Sequence, residues 1–286
     1  ATAVGSAQVM AEPFPAEGLP LEQARQAVLA ALSASPMVEP LPLQQALGRL
    51  SAAPVLAAES VPGFRASILD GYAISTPEPP APGTRWQLVG RSAPGAPYSA
   101  ELGAGEAIRI LTGAPLPTGG QRVLPQEQVQ CPTATTLELV EPVSDQPWIR
   151  AADEEASAGQ QLLAAGSRLG AAELARLASC GISQLAVTVR PRLGLLITGD
   201  ELIPPGERRP PGAIWESNGT LLESLLTRLG YPVAQRRVVA DDPAALRLAL
   251  QELAAGSDVV VSTGGVSAGD SDWIRPLLAE LGEVAF

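Results

Sequence analysis

Residues 257–274, SDVVVSTGGVSAGDSDWI, decide the fold class of this chain. Three consecutive valines without polar alternation predict a strand that is buried on both faces, as in a parallel sheet. Small residues follow this strand, and Asp272 is placed to cap a helix over residues 273–281. Open α/β sheets bind ligands at the loops that follow their strands. We therefore expect this carboxylate-bearing loop to form one wall of an active site.

The same alternation of strand and helix fills the region before this stretch. Apolar runs predict strands over residues 193–198, 233–239 and 258–262, and helical periodicity predicts helices over residues 218–229 and 243–254. Alternation at this spacing implies right-handed βαβ units on a parallel sheet.

The residues before Pro191 have a different pattern. Residues 53–150 contain short β-type runs separated by Pro/Gly clusters, which predicts a small all-β module. Amphipathic helices are expected over residues 21–32 and 43–50. A mixed stretch with a helix over residues 171–179 follows the β-type region.

The composition excludes several kinds of chemistry. All nineteen cationic side chains are arginine, because the chain contains neither lysine nor histidine. Lysine Schiff bases, histidine general bases and histidine metal ligands are therefore excluded, which leaves carboxylates, hydroxyls, arginines and backbone amides. The net charge of −11 argues against nonspecific binding to nucleic acid or to an anionic membrane.

The two cysteines and the termini bear on the cellular compartment. Cys131 and Cys180 lie far apart and form no C-x-x-C motif, so two reduced, buried thiols are expected. No apolar run approaches the length of a membrane span, and residues 1–18 lack the cationic start and apolar core of a signal peptide. We expect a soluble, cytoplasmic protein.

Each predicted parallel strand ends in small or acidic residues. These are Thr198, Gly199, Asp200 and Glu201 after the first strand, Asp241 and Asp242 after the second, and Thr263, Gly264, Gly265, Asp270 and Asp272 after the third. Because parallel strands end at one edge of a sheet, these carboxylates would repel one another unless water or a divalent cation separates them. Mg²⁺ with a phosphate-bearing ligand fits such an oxygen-only set. Two structural alternatives stay open, namely Asp242 as a helix N-cap and Asp200 as a turn residue.

Two motifs in the β-type region also have structural interpretations. Asp70-Gly71 follows an apolar pair and predicts a hairpin-like turn. Residues 110–117 predict a strand that leads into a Pro-rich loop.

Five motifs, taken together, resemble those of the MoeA family of molybdopterin molybdenumtransferases, to which the E domain of gephyrin also belongs. They are residues 64–73 (FRASILDGYA), 109–117 (RILTGAPLP), 197–202 (ITGDEL), 241–243 (DDP) and 264–270 (GGVSAGD). Their order and spacing agree with the family from about residue 20 to the last residue.

The resemblance implies a fold and a reaction. Family members are elongated homodimers with an inserted β domain and a three-layer α/β domain like that of the adenylyltransferase MogA. They take adenylylated molybdopterin and molybdate and, with Mg²⁺, release AMP and leave molybdenum on the dithiolene. In the family, the β domain of one subunit faces the cleft of the other. The adenylyltransferase of the same pathway and molybdoenzyme-delivery proteins are further expected partners.

The resemblance also implies roles for individual residues. The expected catalytic residues are Asp70, Thr112, Glu201, Asp241 and Asp272. The expected substrate-binding residues are Arg150, Glu155, Thr198, Gly199, Asp200, Ser262, Gly264, Gly265 and Ser267. The expected Mg²⁺ ligands are Glu201, Asp241, Asp270 and Asp272.

The patterns and the resemblance together predict an α/β multidomain fold. It consists of a MogA-like three-layer domain with a mainly parallel sheet, an inserted all-β domain and a small mixed α/β linker domain. The expected segments are residues 1–52 (N-terminal helices and start of the linker domain), 53–150 (β domain), 151–190 (remainder of the linker domain) and 191–286 (α/β domain, C-terminally incomplete).

The chain also departs from the family pattern. The family continues with a lysine-bearing Pro-Gly-Lys-Pro loop, a Pro-Gly-Asn-Pro loop and a C-terminal β domain, none of which is in this sequence. The sequence is therefore either a fragment of a longer enzyme or a natural short form with impaired activity, and we favour the fragment. Two rival functions stay open: the adenylyltransferase step itself, because its α/β domain is similar, and a non-catalytic molybdopterin-binding or scaffolding module. The β insertion with Asp70 and Thr112 favours the metal-inserting enzyme.

Overall fold

The computed structural model describes residues 20–32, 37–264 and 273–284. The α-helices of these ranges are α1 (Leu21–Ala31), α2 (Ala171–Ser179), α3 (Asn218–Arg228), α4 (Pro243–Gly256) and α5 (Ile274–Leu281). The strands are β1 (Val38–Pro42), β2 (Val55–Leu56), β3 (Ala66–Ser67), β4 (Gly71–Ile74), β5 (Arg85–Ser92), β6 (Glu106–Ile110), β7 (Arg122–Pro125), β8 (Val129–Thr133), β9 (Thr136–Leu139), β10 (Ile149–Arg150), β11 (Gln161–Leu163), β12 (Gln184–Thr188), β13 (Leu193–Thr198), β14 (Leu202–Ile203), β15 (Ile214–Trp215), β16 (Val233–Val239) and β17 (Val259–Thr263).

The chain divides into two compact units. One consists of Ala1–Glu39 with Thr188–Phe286, and the other of Pro40–Val187. We call them the α/β unit and the β-rich unit. None of the described helices is both long and apolar enough to cross a membrane.

The β-rich unit is built around a six-stranded mixed sheet. Its strand order is β7-β4-β6-β5-β9-β8, in which only β5 and β6 run parallel. Both faces are buried, since alternate residues pack into two clusters, one containing Ile108 and Ile110 and the other Trp86, Leu124 and Leu137. The β-type runs predicted for this region therefore form real strands.

Around this sheet lies a smaller set of two-stranded pairs. Strand β1 pairs with β12, β2 with β11, and β3 with β10. The first two pairs share a core that contains Leu43, Leu162, Leu169, Leu177 and Val187 and that also receives α2. Ile149 of β10 packs instead against the Ile108 and Ile110 side of the six-stranded sheet.

The predicted helix over residues 43–50 is wrong. Only Leu43–Gln45 form a short 3₁₀ helix. The helix does not continue because the Gly48 amide donates to the Leu169 carbonyl (2.7 Å) instead of to the carbonyl four residues before it. Gly48 also has φ 73°, which lies outside the helical region.

The predicted hairpin at Asp70-Gly71 is also wrong. Gly71 begins β4, whose neighbours are the distant strands β6 and β7. A Cβ on Gly71 would lie 2.1 Å from the Leu124 carbonyl oxygen, so glycine is required here by close strand contact and not by a turn.

The α/β unit contains the predicted alternation of strands and helices. Strands β16, β13 and β17 form a parallel sheet in that order, with β13 in the centre. All six residues of β13 are buried. Leu196 packs with Leu246 and Leu250 of α4 and with Ile274 and Leu277 of α5.

Helix α1 forms where the periodicity predicts it, but none of its residues is buried in the described structure.

The prediction of two buried thiols fails for one cysteine. Cys180 is half-buried, whereas Cys131 is exposed because it lies on β8, at the edge of the six-stranded sheet.

Candidate active site

Asp70 and Thr112 form the best-defined polar pair of the β-rich unit. The Thr112 amide and hydroxyl both donate to Asp70 Oδ1, at 2.8 and 2.7 Å. The pair is held by the loops around it, since the Gly113 amide donates to the Ser67 carbonyl (2.8 Å) and the Ser67 amide to the Ala114 carbonyl (3.0 Å). Both donors to Asp70 fall on Oδ1, and no donor among the described residues lies on Oδ2, which is therefore available to a ligand.

The electrostatics around this pair favour an ionised carboxylate. The hydrogen bond from the Thr112 amide, and then that from its hydroxyl, lowers the pKa of Asp70, and the charge of Arg109 lowers the pKa further. Arg109 is fixed by a hydrogen bond to Gln126 Oε1 (2.5 Å) and lies 5.0 Å from the centre of the Tyr72 ring. Sequence reasoning gave Arg109 no role, although its alternation with Ile108 and Ile110 in a β-type run places it on the opposite face of the sheet from them.

The predicted Arg150 and Glu155 lie together in the β-rich unit. Arg150 ends β10 and forms ion pairs with Glu154 (3.2 Å) and Glu155 (3.8 Å). The Glu155 amide donates to the Val61 carbonyl (3.0 Å), which ties this acidic segment to the motif before Asp70. All three charged side chains are about half exposed, so this pair is open to solvent.

The acidic residues of the α/β unit meet at the carboxyl edge of its sheet. The Thr198 hydroxyl donates to Asp241 Oδ1 at 2.5 Å, and the Asp241 amide donates to Asp200 Oδ1 at 3.0 Å. Thr198 ends β13 and pairs in register with Val239, two residues before Asp241. Parallel pairing therefore brings together groups that are 41 and 43 residues apart in sequence.

Two glycines, Gly199 and Gly264, allow close contacts at this edge. Gly264 has φ 86°, and a Cβ there would lie 2.3 Å from the Thr198 carbonyl oxygen. A Cβ on Gly199 would lie 2.7 Å from Glu201 Oε2, so the Glu201 carboxylate lies against the backbone of this turn. The predicted Gly199, Glu201 and Gly264 thus share the edge with Thr198 and Asp241.

The remaining predicted residues have different outcomes. Asp242 accepts a hydrogen bond from the Ala245 amide (2.8 Å) as the N-cap of α4, so the structural alternative for this residue is confirmed. Ser262 lies within β17, opposite Leu196. Four predicted residues lie outside the described part of the chain: Gly265, Ser267, Asp270 and Asp272.

The oxygen donors at this edge limit how a Mg²⁺ ion could be held there. Within the described ranges, no group of three or more carboxylate or thiol side chains is close enough to hold a metal ion. The donors at this edge are oxygens only: Asp241 is joined to Asp200 by a hydrogen bond, and the Glu201 carboxylate lies against the neighbouring Gly199. Mg²⁺ in phosphate-handling sites uses one or two carboxylates with substrate phosphates. The donor chemistry therefore fits Mg²⁺ shared with a phosphate ligand, and does not fit a cage made of protein groups alone.

A buried carboxylate that sequence reasoning missed orders the start of α3. Glu216 is only 3% exposed; it accepts a hydrogen bond from the Gly219 amide (2.5 Å) and pairs with Arg236 of β16. A Cβ on Gly219 would lie 2.5 Å from the Arg236 guanidinium, which explains the glycine in the first turn of the helix. The sequence feature that could have indicated this contact is Glu216, an acidic residue three positions before Gly219 in the first turn of the helix.

Together these features define an α/β protein whose parallel sheet has an oxygen-rich carboxyl edge, and whose β-rich unit carries Asp70, a carboxylate with a lowered pKa. Family comparisons narrow this class. The family described as "MoeA N-terminal region (domain I and II)" matches residues 19–181, and that described as "Probable molybdopterin binding domain" matches residues 194–286. The chain belongs to the MoeA family.

Individual relatives agree with this assignment. The chain is 32% identical over 268 residues to a molybdopterin molybdenumtransferase of Haemophilus influenzae, and 35% identical over 247 residues to one of Nostoc sp.. These alignments cover 94% and 84% of this chain but only 66% and 56% of the relatives. The crystal structure of a molybdopterin biosynthesis MoeA protein from Pyrococcus horikoshii superposes with a TM-score of 0.80 at 30% identity, covering 94% of this chain and 68% of that one.

Proposed function

We propose that this chain carries out the molybdenum-insertion step of molybdenum cofactor biosynthesis. In that reaction molybdate and adenylylated molybdopterin are the substrates, water hydrolyses the phosphoanhydride so that AMP leaves, and molybdenum stays on the dithiolene of the molybdopterin. The observation that carries the proposal is the carboxyl edge of the parallel sheet, where Thr198, Asp241 and Asp200 form one hydrogen-bonded network. Membership of the MoeA family supports the choice of substrates.

The residues at the edge have separate roles in this proposal. Glu201 and Asp241, with Asp270 and Asp272, would hold Mg²⁺. When bound, the ion neutralises charge on the nonbridging phosphate oxygens of the phosphoanhydride. Gly264, the residue directly after β17, packs against the Thr198 carbonyl at the end of β13, so a side chain at position 264 would obstruct the edge on which the phosphates would lie.

The β-rich unit would contribute anion recognition and a fixed carboxylate. Arg150, about half exposed, has its guanidinium available to an oxyanion such as molybdate in exchange for its ion pairs with Glu154 and Glu155. Asp70 stays ionised because Thr112 donates two hydrogen bonds to it. An ionised Asp70 with a free Oδ2 suits the binding of a ligand hydroxyl or amine donor.

The activity test measures molybdate-dependent AMP release from adenylylated molybdopterin with Mg²⁺. We expect Glu201→Gln to abolish release while leaving thermal unfolding unchanged, because the substitution removes a charge from an exposed side chain without changing its volume. Glu207→Gln is the matched control, since it makes the same chemical change on an exposed residue six positions away. Wild-type turnover by Glu201→Gln would remove Glu201 from the mechanism.

The same assay separates the rival functions. ATP consumption with free molybdopterin would indicate the adenylyltransferase step. Binding of molybdopterin without turnover of either substrate would indicate a scaffolding module. Only AMP release that depends on molybdate supports the proposal.

We propose further that the site is completed in a homodimer, with Asp70 of one copy acting together with Glu201 of the other. A mixing experiment tests this arrangement. Asp70→Ala and Glu201→Gln should each be inactive alone, and their mixture should recover about a quarter of the wild-type rate, because half of the dimers would be mixed and each would hold one intact site. A mixture as inactive as its components would exclude the shared site.

The expected location of the protein is the cytoplasm, with the adenylyltransferase of the same pathway and a molybdoenzyme-delivery protein as transient partners. Free cysteines at positions 131 and 180 suit a reducing compartment. Cell fractionation tests the location, and recovery of the protein with secreted or membrane fractions would contradict it.

A further inference from the structure

Thr198 is the residue at the sheet edge whose hydroxyl is already committed within the protein. It is 4% exposed, and its hydroxyl donates to Asp241 Oδ1 at 2.5 Å. A threonine hydroxyl has one proton to donate. While this hydrogen bond persists, Thr198 has no proton left to donate to a bound phosphate or molybdate oxygen.

The surroundings of Thr198 hold this hydrogen bond in place. Its backbone is part of the central strand β13, where it pairs with Val239 of β16. On the other side its carbonyl oxygen packs against Gly264, the residue that follows β17. Asp241 is fixed a second time, because its amide donates to Asp200 Oδ1 at 3.0 Å. The Asp241 carboxylate thus has one oxygen held by Thr198, while no donor in the described structure lies on Oδ2.

We infer that Thr198 is a positioning residue that orients the Asp241 carboxylate, and that it does not itself bind substrate. The inference rests on the proposed function, in which Asp241 holds the cation that the phosphates share. It replaces the substrate-binding role that sequence reasoning gave Thr198. Residues that orient a metal ligand are commonly worth 10–100-fold in metal affinity or activity, and we expect an effect of that size here.

The test uses the full 286-residue chain and two matched substitutions. Thr198→Val keeps the β-branched shape and removes the hydroxyl, and Thr198→Ser keeps the hydroxyl. Mn²⁺ affinity is measured by electron paramagnetic resonance, and kcat and KM are measured for AMP release. We expect Thr198→Val to weaken Mn²⁺ binding by about 10–100-fold and to lower kcat with little change in KM, and Thr198→Ser to restore both. Direct substrate binding by Thr198 would instead raise KM with Mn²⁺ affinity unchanged, which would overturn the inference.

A double-mutant cycle with Asp241→Asn shows whether Thr198 acts through Asp241. If it does, adding Thr198→Val to Asp241→Asn causes no further loss, because the carboxylate to be positioned is already gone. Losses that simply multiply would overturn the inference. If Asp241→Asn alone changes neither Mn²⁺ binding nor turnover, the proposed role of Asp241 fails, and the inference fails with it.

A crystal structure of Thr198→Val gives a readout that is independent of metal and substrate. We expect the Asp241 carboxylate to rotate away from its wild-type position once the hydroxyl is removed. A carboxylate that stays within about 0.5 Å of that position, the tolerance of a preorganised site, would overturn the inference even if the proposed function is correct.

Discussion

Gly71→Ala is expected to disrupt the sheet that holds Asp70, through a steric effect that the structure makes quantitative. The added Cβ would lie 2.1 Å from the Leu124 carbonyl oxygen and 3.0 Å from Val123 Cγ1, whereas ordinary contact begins at 3.4 Å. The obstructing oxygen belongs to β7, which is paired with β4, so it cannot move without opening the sheet. We expect a loss of about 3 kcal/mol in unfolding free energy, the upper end of the overpacking range.

The substitution should also affect the candidate site. Asp70 immediately precedes β4, and Thr112 follows β6. These two strands are paired, with Gly71 of β4 opposite Ile110 of β6. A shift of β4 would lengthen the hydrogen bonds from Thr112, and the pKa of Asp70 would rise towards its ordinary value.

The assay for Gly71→Ala is hydrogen exchange of the amides in β4, β6 and β7, which reports the opening of this sheet separately from the α/β unit. Gly103→Ala is the matched control in the same unit, because its Cβ would meet only the flexible end of the Glu106 side chain, at 3.1 Å. We expect the control to change the opening free energy by less than about 1 kcal/mol. Unchanged protection in Gly71→Ala would refute the steric argument.

Three further predictions concern single interactions. Thr112→Val removes the hydroxyl donor and keeps the amide donor, so the pKa of Asp70 should rise part of the way; an NMR titration with an unchanged pKa would contradict this. Because the folded pKa of Asp70 is depressed, its stabilisation is present above the unfolded pKa of about 3.9 and is lost as the pH falls through the folded value. The loss should therefore be smaller in this variant and complete at a higher pH than in wild type, which urea unfolding at a series of acid pH values measures. Asp258→Asn should loosen the start of β17, because the Asp258 carboxylate accepts hydrogen bonds from both the side chain and the amide of Arg192, which lower its pKa. Hydrogen exchange of the Arg192 amide that is as slow as in wild type would argue against this prediction. Leu196→Ala should cost about 2–5 kcal/mol in urea unfolding of the α/β unit, because Leu196 is fully buried between the sheet and two helices, and a loss below 1 kcal/mol would show that the core collapses around the gap.

Several features of the fold follow from local sequence. The strand over Leu193–Thr198 and the helix over Ala171–Ser179 have the bounds that their apolar patterns predict, because burial on one or both faces leaves a periodic signal within a few residues. The motifs were sufficient to identify the MoeA family. The acidic residues after the strands were also identified from sequence, since parallel strands must end at one edge.

Other features depend on contacts between distant residues. Gly71 looks like a turn glycine in sequence, yet it is required by the carbonyl of Leu124, which lies in a strand that is far away along the chain. The residues of 43–50 have a helical pattern, yet their amides bond to Ser183 and Leu169. Distant contacts override local propensity in both cases. At Gly71 the contact is steric, and within 43–50 it is a hydrogen bond, because a buried backbone group must be paired wherever its partner lies.

By itself, the sequence determined which chemical groups are present, namely carboxylates, hydroxyls and arginines without lysine or histidine, and that parallel strands carry acidic residues to a common edge. Only the tertiary structure decided which of these groups meet. Thr198 bonds Asp241, and Thr112 bonds Asp70, across separations of 43 and 42 residues. A periodic pattern records burial over one turn or one strand, whereas the partner of a hydroxyl depends on strand order and register, which no single segment contains.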